Sequence, residues 1–148
     1  MRAVVALVGA MLVSSAGVAY ACDLTKDPRP TWEEMINEAD VVFVGTAVEI
    51  QPTASLDRGD RVVFEVELPV KGAVGSRFEH MQGASTCDHT FELGAHVIFA
   101  GRALSIEDGE MHIFVEDTGW DPTVTLADPP TAAQVAQLQY LKQIAVDQ

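Results

Sequence analysis

The sequence predicts a mainly β domain, five strands in a small barrel with a short helix before them and an amphipathic helix after them. Three observations carry this. Runs rich in Val, Ile and Phe recur at strand length between turns bearing glycine or proline. A helix-start signature stands at each end, Thr31-Trp32-Glu33-Glu34 and Thr131-Ala132-Ala133-Gln134. The first strand is long and interrupted by a glycine, the bend that closure of a small barrel requires.

Of the chain's 148 residues, Met1–Ala21 are read as a secretory signal peptide. Arg2 precedes an unbroken apolar run, Ala3 to Val13, and Ala19-Tyr20-Ala21 has the small-x-small pattern of a cleavage site. Cleavage leaves 127 residues, 22–148, beginning at Cys22; with Arg2 lost, the formal charge goes from −13 to −14. That length makes one domain. Eight Lys and Arg against 22 acidic residues cannot neutralise a row of phosphates, which excludes nucleic acid and disfavours anionic membranes. After the leader no stretch approaches the ~20 apolar residues of a spanning helix. Two cysteines in an exported chain predict one disulfide, Cys22 to Cys87. Lipidation of Cys22 is the alternative, although Ala19 and Tyr20 match a lipoprotein signal poorly.

Along the mature chain, Asp23–Pro30 is polar and extended. The Thr31/Glu34 capping box starts a helix to about Glu38, which offers Trp32, Met35 and Ile36 to a core. Val41–Ile50 reads as a strand buried on both faces, with a bulge or bend at Gly45. Gln51–Asp60 is a turn-rich loop. Arg61–Leu68 alternates, placing Val62, Phe64, Val66 and Leu68 inward and Arg61, Val63, Glu65 and Glu67 outward. Pro69–Ser76 reads as a turn. Arg77–Gln82, Ala95–Arg102 and Met111–Val115 are the remaining strands, with Glu107–Glu110 as a hairpin turn. After Pro129-Pro130 the second capping box begins a helix, about 131–146, with Val135, Leu138, Leu141 and Ala145 on one face.

The inventory for catalysis is poor, and the chain reads as a non-enzyme with no cofactor. Mature Ser55, Ser76, Ser85 and Ser105 lie outside any G-x-S-x-G context. Cys87-Asp88-His89 sets a thiol beside an imidazole, but export commits that thiol to a disulfide. His80, His89, His96 and His112 form no i, i+4 pair and no HExxH, so they read as strand or surface residues. Arg58-Gly59-Asp60 spells an integrin-type tripeptide in a segment of turn formers and reads as a turn.

The order of features resembles the tissue inhibitors of metalloproteinases and the wider netrin-type module, in a bacterial-type single-domain form. Cys22 corresponds to the family's N-terminal cysteine and Ala39-Asp40-Val41-Val42 to its first-strand entry. Phe64-Glu65-Val66-Glu67 leading to Val70-Lys71-Gly72 is similar to its second strand and lysine-glycine turn. Ser85-Thr86-Cys87 is similar to the segment whose cysteine bonds to the first. Val97–Arg102, Asp108-Gly109 and Met111-His112-Ile113 resemble the final hairpin. The family's second N-terminal cysteine is replaced by Leu24, and its distal partner is missing too, since no cysteine follows Met111.

The resemblance implies a five-stranded OB-like Greek-key barrel, about residues 39–117, within a domain spanning 22–148. It also implies a partner, a zinc metalloprotease, with another envelope or extracellular protein as the alternative. In the family the first residue's amino nitrogen and carbonyl oxygen chelate the protease zinc. Carried over, Cys22 is the chelator through its backbone, Cys87 its anchor, and Ser85, Thr86 and Asp88 the neighbouring contact loop. Asp23 stands where the family has a small neutral side chain entering the pocket beside the zinc.

Overall fold

The computed structural model describes residues 30–53, 59–82, 89–105, 111–114 and 122–146. Expectations for the leader, for Cys22 and Asp23, for Arg58, for Ser85–Asp88, for the Glu107–Glu110 turn and for Val115 lie outside them.

The capping box forms as read. Thr31 Oγ accepts from Glu34 N at 3.2 Å while Glu34 Oε2 accepts from Thr31 N at 2.7 Å, and helix α1 runs Trp32–Glu38. The strands are β1 (Val41–Gln51), β2 (Asp60–Lys71), β3 (Arg77–Gln82), β4 (His96–Ser105), β5 (Met111–Phe114) and a two-residue β6 (Val124–Thr125); helix α2 is Ala132–Val146. The protein is therefore mainly β with one helix at each end of the described chain. All pairings are antiparallel, in the order β3-β2-β1-β4-β5, with β6 beside β4. Strands β4-β1-β2-β3 stand in Greek-key order, the fourth returning to lie beside the first. Among the described residues the sheet is open between β3 and β5.

Strand β1 is buried on both faces because the alternate residues of one apolar run serve two cores. Val42 and Val44 join Ile36, Ala39, Val70, Ile98, Ala100, Leu126 and Leu141 under the two helices. Val41, Phe43 and Ala47 join Val62, Phe64, Phe91, Val97 and Phe99 on the other face. This second core is aromatic. Phe43 and Phe99 are register partners across β1 and β4, stacked with centroids 4.8 Å apart, and Phe64 meets Phe91 edge-on at 5.0 Å.

Four expectations need correction. Val63 is 3% exposed, although alternation placed it outward. Leu68 packs under the helices, not with Val62, Phe64 and Val66. Its cause is a bulge: Val44 pairs Leu68 and Gly45 pairs Val66, so Glu67 is an extra residue and the face changes there. Strand β2 also runs through Pro69 to Lys71, where a turn was expected; a second register shift, between Val42 and Phe43, accommodates the missing N–H of Pro69. The turn begins at Gly72, whose φ of +84° and the approach of Asp40 O to 2.5 Å of a built Cβ both require glycine. Finally, Val135 of α2 is exposed, and Gln134 turns inward instead, accepting from Ala127 N at 3.1 Å and donating to Thr125 O at 3.0 Å. Leu138, Tyr140, Leu141, Ile144 and Ala145 make the packed face.

Strand β6 has no counterpart in the sequence reading. It covers the start of β4's outer edge, β5 covers the end, and Thr123 fills the gap between them. Thr123 Oγ accepts from Ala100 N at 3.2 Å and donates to Ala100 O at 3.1 Å, a side chain standing in for a strand. Trp32 links this segment to α1 by donating to Pro122 O at 2.9 Å, and its ring meets Tyr140 of α2 edge-on at 5.9 Å.

Candidate functional site

Every residue that the resemblance assigned to inhibition, namely Cys22, Asp23, Ser85, Thr86, Cys87 and Asp88, lies outside the described residues. What the structure places is the frame around 83–88. Gln82 ends β3 with its side chain buried, and its Oε1 accepts from Phe91 N at 2.9 Å. Its Nε2 donates to Asp60 Oδ2 at 3.4 Å. One amide therefore ties the residue before this segment to a residue just after it, and both to the start of β2. Replacing Gln82 by a hydrophobe would leave a buried N–H unsatisfied.

Two histidines read as unrelated both lie against Phe91 at this end. His80 is 6% exposed and presents its ring edge-on to Phe99 at 5.1 Å and to Phe91 at 6.0 Å. His89 lies against Phe91 at 4.8 Å. The aromatic core thus continues to the rim from which 83–88 departs. Of the Arg58-Gly59-Asp60 tripeptide, Arg58 lies outside the described residues, and Asp60, expected in the loop, is the first residue of β2, where it accepts from Gln82.

The sheet's outer face beyond the helices carries a polar constellation that sequence reasoning missed. Thr46 and His96 are register partners across β1 and β4, and Glu67 reaches them from the β2 bulge. Thr46 Oγ donates to Glu67 Oε1 at 2.9 Å, and His96 Nε2 lies 3.1 Å from Glu67 Oε2. No signal in the sequence could have found this, because the three residues meet only through the register of three strands. On the same sheet, Arg61 pairs with Glu79 and donates to Gln51 Oε1 at 3.1 Å. The hydrogen bond that the guanidinium donates to Glu79, and then the negative charge of Glu79, raise the Arg61 pKa, keeping the guanidinium charged.

Among the described residues no three His, Cys, Asp or Glu side chains converge as a metal cluster, and no helix is long and apolar enough to cross a membrane. No family model matches the chain, and no curated protein matches it.

Proposed function

We propose that this chain is an exported, netrin-type module that binds a protein partner through the rim bearing residues 83–88, in the manner of the tissue inhibitors of metalloproteinases. The observation that carries the reading is the Gln82 tether, which fixes the take-off of the segment resembling the family's cysteine-bearing contact loop. A rim held in place lowers the ordering cost of binding. The strand path supports it as well, since β3-β2-β1-β4-β5 is the path of an OB-like barrel cut between β3 and β5.

The chemistry follows from signal cleavage before Cys22. The free amine, ordinarily with a pKa of about 7.7–8.0, is neutral when facing a dication, and amine and carbonyl oxygen together fill the position that a catalytic zinc keeps open. A Cys22–Cys87 disulfide holds that chelator to the segment that follows Gln82. Mass spectrometry of the exported protein without reductant is expected to find Cys22 joined to Cys87, and two free thiols would remove the anchor from the proposal.

One alanine added before Cys22 is expected to abolish inhibition of zinc endopeptidases, because the chelating nitrogen becomes an amide. Asp23→Thr is expected to improve inhibition, since a carboxylate entering the zinc-side pocket unpaired costs several kcal/mol. Asp23 is also the specific observation behind a second reading, a non-inhibitory binding module of the envelope or extracellular space. Under it neither change affects partner binding. A panel of zinc endopeptidases assayed with wild type, the extended form and Asp23→Thr separates the two, and inhibition by none of the three retires the inhibitor reading.

A further inference from the structure

We propose that Glu67 and His96 form a binding site for a borderline-soft divalent cation, Zn2+ being the test case, on the outer sheet face and with water completing the coordination. Imidazole nitrogen and carboxylate oxygen are the donor types such a cation takes at about 2.0–2.2 Å. Two such bonds at a tetrahedral angle separate the donor atoms by about 3.3 Å. His96 Nε2 and Glu67 Oε2 are 3.1 Å apart. This close approach does not have the alignment of an N–H···O hydrogen bond, and Nε2 is shielded from solvent without any hydrogen-bond partner. Donors that converge on a shared ion aim at the ion, not at each other. An imidazole nitrogen held beside a carboxylate, with no hydrogen bond of its own, retains a lone pair for a metal bond.

The surroundings hold both donors in place. Thr46 Oγ takes the second carboxylate oxygen of Glu67, an outer-shell hydrogen bond that fixes a ligand's orientation. The bulge makes Glu67 the unpaired extra residue of β2 and directs it toward Thr46 and His96. His96 is pinned through its backbone, its carbonyl accepting from Leu126 N at 2.8 Å while its neighbour Val97 pairs with β6. The side chains of His96 and Glu67 are 41% and 51% exposed, so the pair lies at the protein surface, and a cation enters once the side chains part enough to uncover Nε2. With only two protein donors, affinity is modest and coordination positions stay open. The site is independent of Cys22 and of the inhibitory reading.

The test titrates the mature, disulfide-intact protein with Zn2+ alone, by calorimetry and by long-range 1H–15N spectra of the imidazoles. Saturable binding at one site is expected, with the His96 Nε2 resonance moving. Glu67→Gln and His96→Ala are each expected to weaken binding about tenfold or more, and Thr46→Val by a smaller factor. Glu67→Gln keeps side-chain shape and an acceptor for Thr46, so it decides the matter even if His96→Ala fails to fold. Undiminished affinity in Glu67→Gln overturns the proposal. So does a resonance shift confined to another histidine, or the absence of saturable binding below about 1 mM.

Discussion

Phe99→Ala is expected to destabilise the protein by about 3–5 kcal/mol, the cost of emptying a fully buried aromatic site. Phe99 is 0% exposed and lies at the centre of the aromatic core. Its ring stacks on Phe43 at 4.8 Å and meets Phe78 at 5.3 Å, Phe64 at 5.6 Å and His80 at 5.1 Å. These neighbours come from three other strands, so the cavity cannot close by moving one of them. Urea denaturation measures the loss as a lower midpoint at an unchanged m-value. Phe64→Ala is expected in the same range, because its ring is equally buried and touches Phe43, Phe91 and Phe99. A loss under about 1 kcal/mol for Phe99→Ala would mean that the aromatic face is not a packed core.

The elements written most plainly in the sequence are those with local causes. Thr31 and Glu34 specify the start of α1 through hydrogen bonds three residues apart, and Thr131 and Gln134 do the same for α2. The β1 apolar run, with no polar residue between Val41 and Val44, announces burial on both faces, and two cores use it. The errors have non-local causes. Leu68 changed face because of a bulge that depends on how β1 pairs with β2, and alternation within one strand cannot record it. Gln134 displaced Val135 from the packed side because its amide answers backbone groups of 125 and 127, a segment the sequence presents as loop. Strand β6 is two residues long and exists only as the partner of Val97 and Ile98.

The site divides the same way. Cysteine count and the leader expected from the sequence are what point to Cys22 and Cys87, and those residues lie outside the described structure. The frame around them, Gln82 with Asp60 and Phe91, was not legible, because a glutamine at a strand end looks like any exposed polar residue until its amide is found buried. Glu67 looked like one more solvated charge on an alternating strand. Its meaning comes from Thr46 and His96, which the register alone brings together.

Gly45→Ala is expected to cost about 3 kcal/mol or more, at the upper end of what one added methyl group does in a packed interior. The reason is space. A Cβ built on Gly45 collides with the Glu65 carbonyl oxygen and lies 3.3 Å from both the Glu65 carbonyl carbon and Phe43 Cδ2. Neither neighbour can yield cheaply. Glu65 belongs to the β1–β2 ladder, opposite Thr46, and moving its carbonyl opens the pairing of Ala47 with Phe64 as well. The Phe43 ring is held between Phe99 and Phe78, with centroids at 4.8 and 5.1 Å. The strands must therefore separate at the bulge, and Glu67 moves with β2, away from Thr46 and His96. Two measurements are expected to change together: the urea midpoint falls, and Zn2+ affinity drops as it does in Glu67→Gln. Thr123→Val provides the contrast, because it removes two hydrogen bonds to Ala100 on the far edge of β4, for about 1–3 kcal/mol, without touching the bulge. Equal loss of Zn2+ affinity in both variants would trace the effect to general destabilisation. Loss in Gly45→Ala alone ties the close strand approach at Gly45 to the position of the Glu67 carboxylate.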